Sequence, residues 1–327
     1  MLGGSVDMRL VSFRRASDQV RAGVSVEHGI IDIHEGMALI SEDRPLDALA
    51  LSTIIRGTHD STHLGSVVLL DEIVASQQQA GMDIAQWFGG VEMLVRRHDV
   101  QLTAPLVDLQ AWRRTAQHVQ AYETLLRRQG QHIPLHWYER APLWPALASS
   151  LYGDRAVVPF PTTTMCDVEC EIAWVTQSDL HNADVGEAHD AILGLFMIGQ
   201  VVARDRADDD VLHGLWSRPS GAVMGPMITT MDELPEFVLP DGRLRIEMQI
   251  LVNDVRVAQM NLRDVQYTMA EVTAHASDNC VIPAGSVFSS GVLTSISHNS
   301  GIWLVPGDDV IIDAGPLGTL RWSMEDW

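Results

Sequence analysis

The first residues alternate in short runs. Positions 8–34 read as MRLVSF, RAGVSV and GIIDI with turn residues between them, which predicts a small antiparallel sheet. Over residues 45–98 the apolar positions change to helical spacing, in LGSVVLLDEIVASQQQ and AQWFGGVEMLVRRH, and predict helices. Gln101–Pro105 reads as a linker and divides a small N-terminal domain, 1–104, from a larger one, 105–327. Residues 112–129 predict one helix, stopped by Gly130 and Pro134. From residue 155 onward the chain is rich in strand patterns: RAVVPF, CDVECEIAWVTQ, RLRIEMQILVN, SVFSSG and DDVIIDA. Helices at 187–203 and 268–278 interrupt them, so the predicted class is α+β. Strands and helices do not alternate as βαβ units, and no GxGxxG opens a helix after a strand.

Charge narrows the function classes. The 327 residues carry 22 Lys+Arg against 43 Asp+Glu, a net charge of −21. Such a chain repels phosphate backbones and anionic lipid, so neither nucleic acid nor membrane is an expected partner. All the basic residues are arginine, which excludes a Schiff-base lysine, a pyridoxal-phosphate anchor and a GK[ST] phosphate loop. Three cysteines, Cys166, Cys170 and Cys280, are too few for a disulfide framework. With no basic-then-apolar leader near residue 1 and no long apolar run, the expected location is the cytoplasm.

The stretch Cys166-Asp167-Val168-Glu169-Cys170-Glu171-Ile172 carries the clearest chemistry. On a strand, Asp167, Glu169 and Glu171 stand two apart and share one face. Carboxylates this close repel unless a cation or a shared proton intervenes, and oxygen ligands in such a row suit Mg²⁺ or Ca²⁺. A solvated strand face is the plainer reading. Asp208–Asp210, beside Asp205 and His213, are a second candidate cation site or simply a solvated loop, and Arg204-Asp205 reads as a structural pair.

The order of segments QHV (117–119), HWYERAP (136–142), GDRAVVPFP (153–161), CDVECEIAWV (166–175), ARD (203–205), GPMITTMDEL (225–234), LRIEMQILVN (244–253) and PGDDVIIDAGPLGTLRW (306–322), with the YTMAEVTAHAS helix (267–277), resembles the fumarylacetoacetate hydrolase superfamily. The resemblance runs over roughly 105–322. It implies a mixed β-roll catalytic domain behind a small N-terminal β/α domain, usually as a homodimer. It also implies carbon–carbon cleavage, isomerisation, decarboxylation or hydration of oxo-acids around a divalent metal.

Residue by residue, the resemblance is partial. Two carboxylate ligands fall at Glu169 and Glu171, whereas the family's other aspartates fall at Ala111 and Gln200 and its asparagine at Gly199. The implied metal set is therefore Glu169, Glu171 and a neutral Gln200, a degenerate site. The water-activating histidine is His118, and the arginine implied to touch substrate is Arg127. Segment 292–304 holds no acid to orient that histidine. The family's lysine falls near Arg218, its threonine at Val292 and its pocket aromatic at Trp144.

Three functions remain open. One is an enzyme of proton-transfer chemistry (decarboxylation, isomerisation, dehydration or cyclisation) on a small oxo-acid, 1,3-dicarbonyl or polyketide-like substrate. It would need no metal, would hold a shared proton between Glu169 and Glu171, and would suit bacterial secondary metabolism. In this reading His118, Glu169, Glu171 and Arg218 are catalytic, while Arg127, Trp144, Gln200 and Val292 bind substrate. The second is a metal-dependent carbon–carbon hydrolase using Mg²⁺, or Mn²⁺ or Ca²⁺. The third is a catalytically silent binding or scaffold subunit.

Overall fold

A computed structural model describes residues 8–15, 19–27, 29–40, 50–57, 93–109, 111–128, 130–146, 150–206 and 220–326. Its strands, in chain order, are β1 (Arg9–Arg15), β2 (Arg21–Val26), β3 (Gly29–Asp32), β4 (Leu94–Val95), β5 (Val100–Leu102) and β6 (Trp112–Thr115). They continue with β7 (Leu143–Pro145), β8 (Leu151–Tyr152), β9 (Ala156–Pro159), β10 (Cys166–Thr176), β11 (Ile192–Ala203) and β12 (Ala222–Thr230). The last are β13 (Glu247–Val252), β14 (Val255–Asn261), β15 (Val287–Ser289), β16 (Thr294–Ser295), β17 (Asp309–Asp313) and β18 (Thr319–Glu325).

A 13-stranded sheet runs β4-β3-β2-β1-β12-β11-β10-β15-β6-β7, with β16 beside β10, β5 beside β1 and β8 beside β12. A 5-stranded sheet, β14-β13-β17-β18-β9, packs on it. The antiparallel N-terminal strands form as their alternation predicts, and β1 pairs with β12, so the large sheet draws on both sides of residue 104.

β10 is buried along all 11 residues, and its two faces have separate jobs. Cys166, Val168, Cys170, Ile172 and Trp174 face the small sheet and pack with Met248, Ile250, Val310, Ile312, Leu320 and Trp322. Ala173 and Val175 face the other way, into a cluster with Leu10, Val24, Ile33, Met37, Leu51, Ile54 and Ile55. By the period of two, Asp167, Glu169 and Glu171 lie on that second face. One face is therefore apolar at its C-terminal end and acidic at its N-terminal end.

Three segments depart from the expected elements. The span 187–203 is a short helix, Val185–Asp190, followed by the fully buried strand β11. Its run ILGLFMIGQVVA has no polar face, and a continuous apolar run does not distinguish a buried strand from a buried helix. The span 112–129 is β6 and then a helix, Val119–Arg128, because Trp112–Thr115 is taken up by pairing with β15 and β7. The expected linker Gln101–Pro105 begins within β5, and Thr103 N–H donates to the Ser12 carbonyl at 2.9 Å. Of the predicted helical region 45–98, the described parts, 50–57 and 93–98, hold the helix Leu51–Arg56, then β4 and the start of a 3-10 turn, Arg97–Asp99, and 45–49 and 58–92 lie outside the described residues. The helix predicted at 268–278 forms as Met269–Ala276, with a capping box between Thr268 and Glu271.

Candidate active site

The acidic face of β10 is closed by two arginines. Arg114, on β6, reaches Glu169 Oε2 at 2.7 Å through Nη2, and the same nitrogen contacts Glu171 Oε1. Arg204, just beyond β11, donates from Nε to Asp167 Oδ2 at 2.8 Å and from Nη1 to Glu169 Oε1 at 2.8 Å. Asp167 also accepts from Ser297 Oγ at 2.6 Å, Ser297 N–H at 3.0 Å and its neighbour Val168 N–H at 2.8 Å. That ties the helix Ile296–Ser300 to the strand. Glu169 is held by both arginines, one on each carboxylate oxygen.

These charges are desolvated, with Arg114 only 5% exposed and Glu171 fully buried. Burial alone would lower the Arg114 pKa, but the adjoining charges of Glu171 and Glu169 outweigh it and raise the pKa. Arg204 is shifted upward in the same way, burial being outweighed by Glu169 and Asp167. The expected shared proton between Glu169 and Glu171 is therefore replaced: a guanidinium lies between them. The reading of Arg204-Asp205 as a pair is also corrected, since Arg204 turns to β10 while Asp205 accepts from the Thr163 hydroxyl at 2.5 Å.

Of the residues singled out from the sequence, Glu169, Glu171 and Gln200 meet here. Gln200 sits opposite Glu169 in the β10–β11 register, buried, its Oε1 without a hydrogen-bond partner. Val292 lies between Ser290, whose N–H bonds the Ile172 carbonyl, and Leu293, whose N–H bonds the Cys170 carbonyl. Trp144 is opposite Arg114 across β6–β7 and lines an open cleft of about 400 Å³ with Trp112 and Arg113. Gly199 is opposite Cys170, and a Cβ there would meet Trp322 Cη2 at 2.5 Å, so no larger side chain fits.

His118 follows directly from β6. Its segment is tied to the site through Gln117 N–H, which bonds the Ser290 carbonyl at 3.0 Å. The Nδ1 atom accepts from Ala121 N–H at 3.1 Å, capping the helix that follows. Arg127 does not converge on the site: it lies on the exposed side of its helix, paired with Glu123 at 2.7 Å. Arg218, Asp208–Asp210 and His213 lie outside the described residues.

Two residues of this cluster are not assigned to it from the sequence: Arg114, which goes unmarked, and Arg204, which reads as the partner of Asp205. The signal was available: three buried acids demand cations, and in a chain without lysine only arginine supplies a permanent one.

A divalent metal does not fit this donor set. Both oxygens of Asp167 and Glu169 already accept from cationic or neutral donors, and one oxygen of Glu171 is in ion-pair contact with Arg114. Within this set both Glu171 oxygens and Gln200 Oε1 have no hydrogen-bond partner, and Glu171 Oε1 is already in ion-pair contact with Arg114, which leaves too few oxygens for an octahedral or larger shell. No group of three or more His, Cys, Asp or Glu suited to a metal occurs among the described residues.

Comparison with known proteins agrees with this architecture. Residues 111–324 match the family model of the fumarylacetoacetate (FAA) hydrolase C-terminal region, and the chain belongs to that family. An uncharacterised protein of Staphylococcus aureus is 27% identical over 192 residues, which is 57% of this chain and 61% of that protein's length. A maleylpyruvate hydrolase from Sphingobium sp. SYK-6, solved with manganese(II) and pyruvate, is 19% identical, with TM-score 0.65 over 98% of this chain and 99% of that one. A 5-carboxymethyl-2-hydroxymuconate delta-isomerase from Mycobacterium smegmatis is 16% identical, with TM-score 0.61 over 98% and 100%. Identities this low establish the shared fold. Among the described residues no helix is long and apolar enough to cross a membrane.

Proposed function

We propose that the protein is an enzyme of proton-transfer chemistry on a small oxo-acid, 1,3-dicarbonyl or polyketide-like substrate, carrying out decarboxylation, isomerisation, dehydration or cyclisation without a required metal. The observation that carries this reading is the pair of unpartnered groups in the charged cluster. Glu171 Oε2 is a buried acceptor and Arg114 Nε–H a buried donor, and neither has a hydrogen-bond partner. A carboxylate that accepts a proton beside a guanidinium that takes an anionic oxygen is the equipment for enolisation. The isomerase among the similar structures is a precedent on this fold. The acting unit in this reading is a homodimer in a reducing cytoplasm, consistent with three free cysteines.

The test is solvent exchange. Incubated in D₂O with chelator and a panel of 2-oxo acids and 1,3-diketones, the protein should exchange the hydrogens α to the carbonyl of at least one compound, followed by NMR. Glu171→Gln should slow that exchange by about 10²-fold or more. Exchange that appears only on adding Mg²⁺ or Mn²⁺ would refute the metal-free reading.

A second reading has one observation in its favour, the manganese and pyruvate held by the Sphingobium relative. It makes the protein a metal-dependent carbon–carbon hydrolase of acylpyruvates, and it would require Arg114 to leave Glu169 and Glu171 before a metal could be held by them and Gln200. Acylpyruvate cleavage that disappears with chelator and returns with Mn²⁺ would establish it instead.

A further inference from the structure

A row of three buried carboxylates two residues apart requires compensating positive charge, and the question is what supplies it. We infer that Arg114 is a resident cation, occupying permanently the position that a divalent ion would otherwise take between Glu169 and Glu171. This inference stands on the geometry of the cluster and does not depend on which reaction the protein performs.

Four observations support it. A single nitrogen, Arg114 Nη2, contacts carboxylate oxygens of both glutamates, the bridging role of a shared ion. Arg114 is 5% exposed and is delivered from a strand pinned by neighbours on both sides, so it is not a surface side chain folded inward by chance. Its flanking carboxylates raise its pKa above the ordinary guanidinium value, so it does not leave by losing a proton. Arg204 neutralises the other end of the same row, through Asp167 and Glu169.

The physical consequence is exclusion. A divalent ion entering the cluster would meet a fixed positive charge at contact distance in a desolvated site, where charge repulsion is far stronger than in water. It would also have to displace two charge-assisted contacts of Arg114 and find room for a coordination shell. A guanidinium differs from a metal in a second way. It carries N–H donors, and its buried Nε–H is still unused. Anionic oxygens would then be gripped by directional hydrogen bonds rather than by coordination.

The test is direct metal binding, read by electron paramagnetic resonance of free Mn²⁺ and by calorimetry, on chelator-treated full-length protein. The wild type should leave added Mn²⁺ free at ratios where a cage site would fill. Arg114→Ala should bind Mn²⁺ on the order of tenfold or more tighter than the wild type. The double variant Arg114→Ala/Glu169→Gln should lose that gain. Stoichiometric binding by the wild type that weakens in Glu169→Gln would overturn the proposal, and this measurement needs no Arg114 variant to fold. A folded Arg114→Ala with no gain in Mn²⁺ affinity would overturn it as well.

Discussion

Replacing Arg204 with methionine tests whether the charged row is a desolvated network. Arg204 is 10% exposed at its side chain and makes ion pairs at 2.8 Å with both Asp167 and Glu169. Asp167 is fully buried, and without Arg204 it keeps only neutral donors from Val168 and Ser297. An exposed pair would be worth about 0–1 kcal/mol. Removing one partner of a buried pair strands a charge and costs about 3–5 kcal/mol, and the second value is the one this geometry selects. Glu169 keeps Arg114, which places the cost mainly on Asp167. Arg204→Met should therefore lower the urea midpoint of tryptophan fluorescence with an unchanged slope. Arg204→Met/Asp167→Asn should recover about 1–3 kcal/mol, because the stranded charge is gone. A single-variant cost below about 1 kcal/mol, or singles that add in the double, would show that water reaches the row and that the argument fails.

Three further outcomes are expected. A colorimetric disulfide reagent at neutral pH should titrate one thiol, the exposed Cys280, and three in denaturant, because Cys166 and Cys170 are buried. Burial first, and nearby Asp167 second, push the Cys166 thiol up from 9.0 to about 12, and burial pushes Cys170 well above its usual value. Both thiols thus stay protonated in the fold while those of the unfolded chain ionise. Their contribution to stability is complete below pH 9 and is lost as pH rises toward 12, so Cys166→Ala should flatten part of the alkaline loss in a pH series of thermal melts. Gly291→Ala should cost more than about 2 kcal/mol and disturb the Arg114 strand. Gly291 has φ +70°, and a Cβ there would collide with the Thr115 carbonyl, so a normal melting temperature would contradict the packing.

Parts of this molecule are legible in the chain because they obey a short period. The alternation in MRLVSF and RAGVSV gives β1 and β2, and Asp167, Glu169 and Glu171 fall on one face by the same period. The strand β11 defeats periodicity because both its faces are interior, which leaves nothing to alternate. The partner of the acids was harder to see. Arg114 is fifty-five positions from Glu169, on a strand of four residues, and sequence spacing carries no trace of a contact made through β15. Arg204 was misassigned for the opposite reason, since its neighbour Asp205 offered a local partner that the tertiary fold did not use.

The junction of β1 with β12 sets the timetable of synthesis. The Met8 amide donates to Thr230 Oγ1, 222 residues further along the chain. At a translation rate of about 5–20 residues per second, the first strand emerges roughly ten to forty seconds before its neighbour exists. Through that interval the nascent chain carries an open hydrogen-bonding edge on β1. Yield in a heterologous host should accordingly depend on chaperone supply during elongation more than on the durability of the finished molecule.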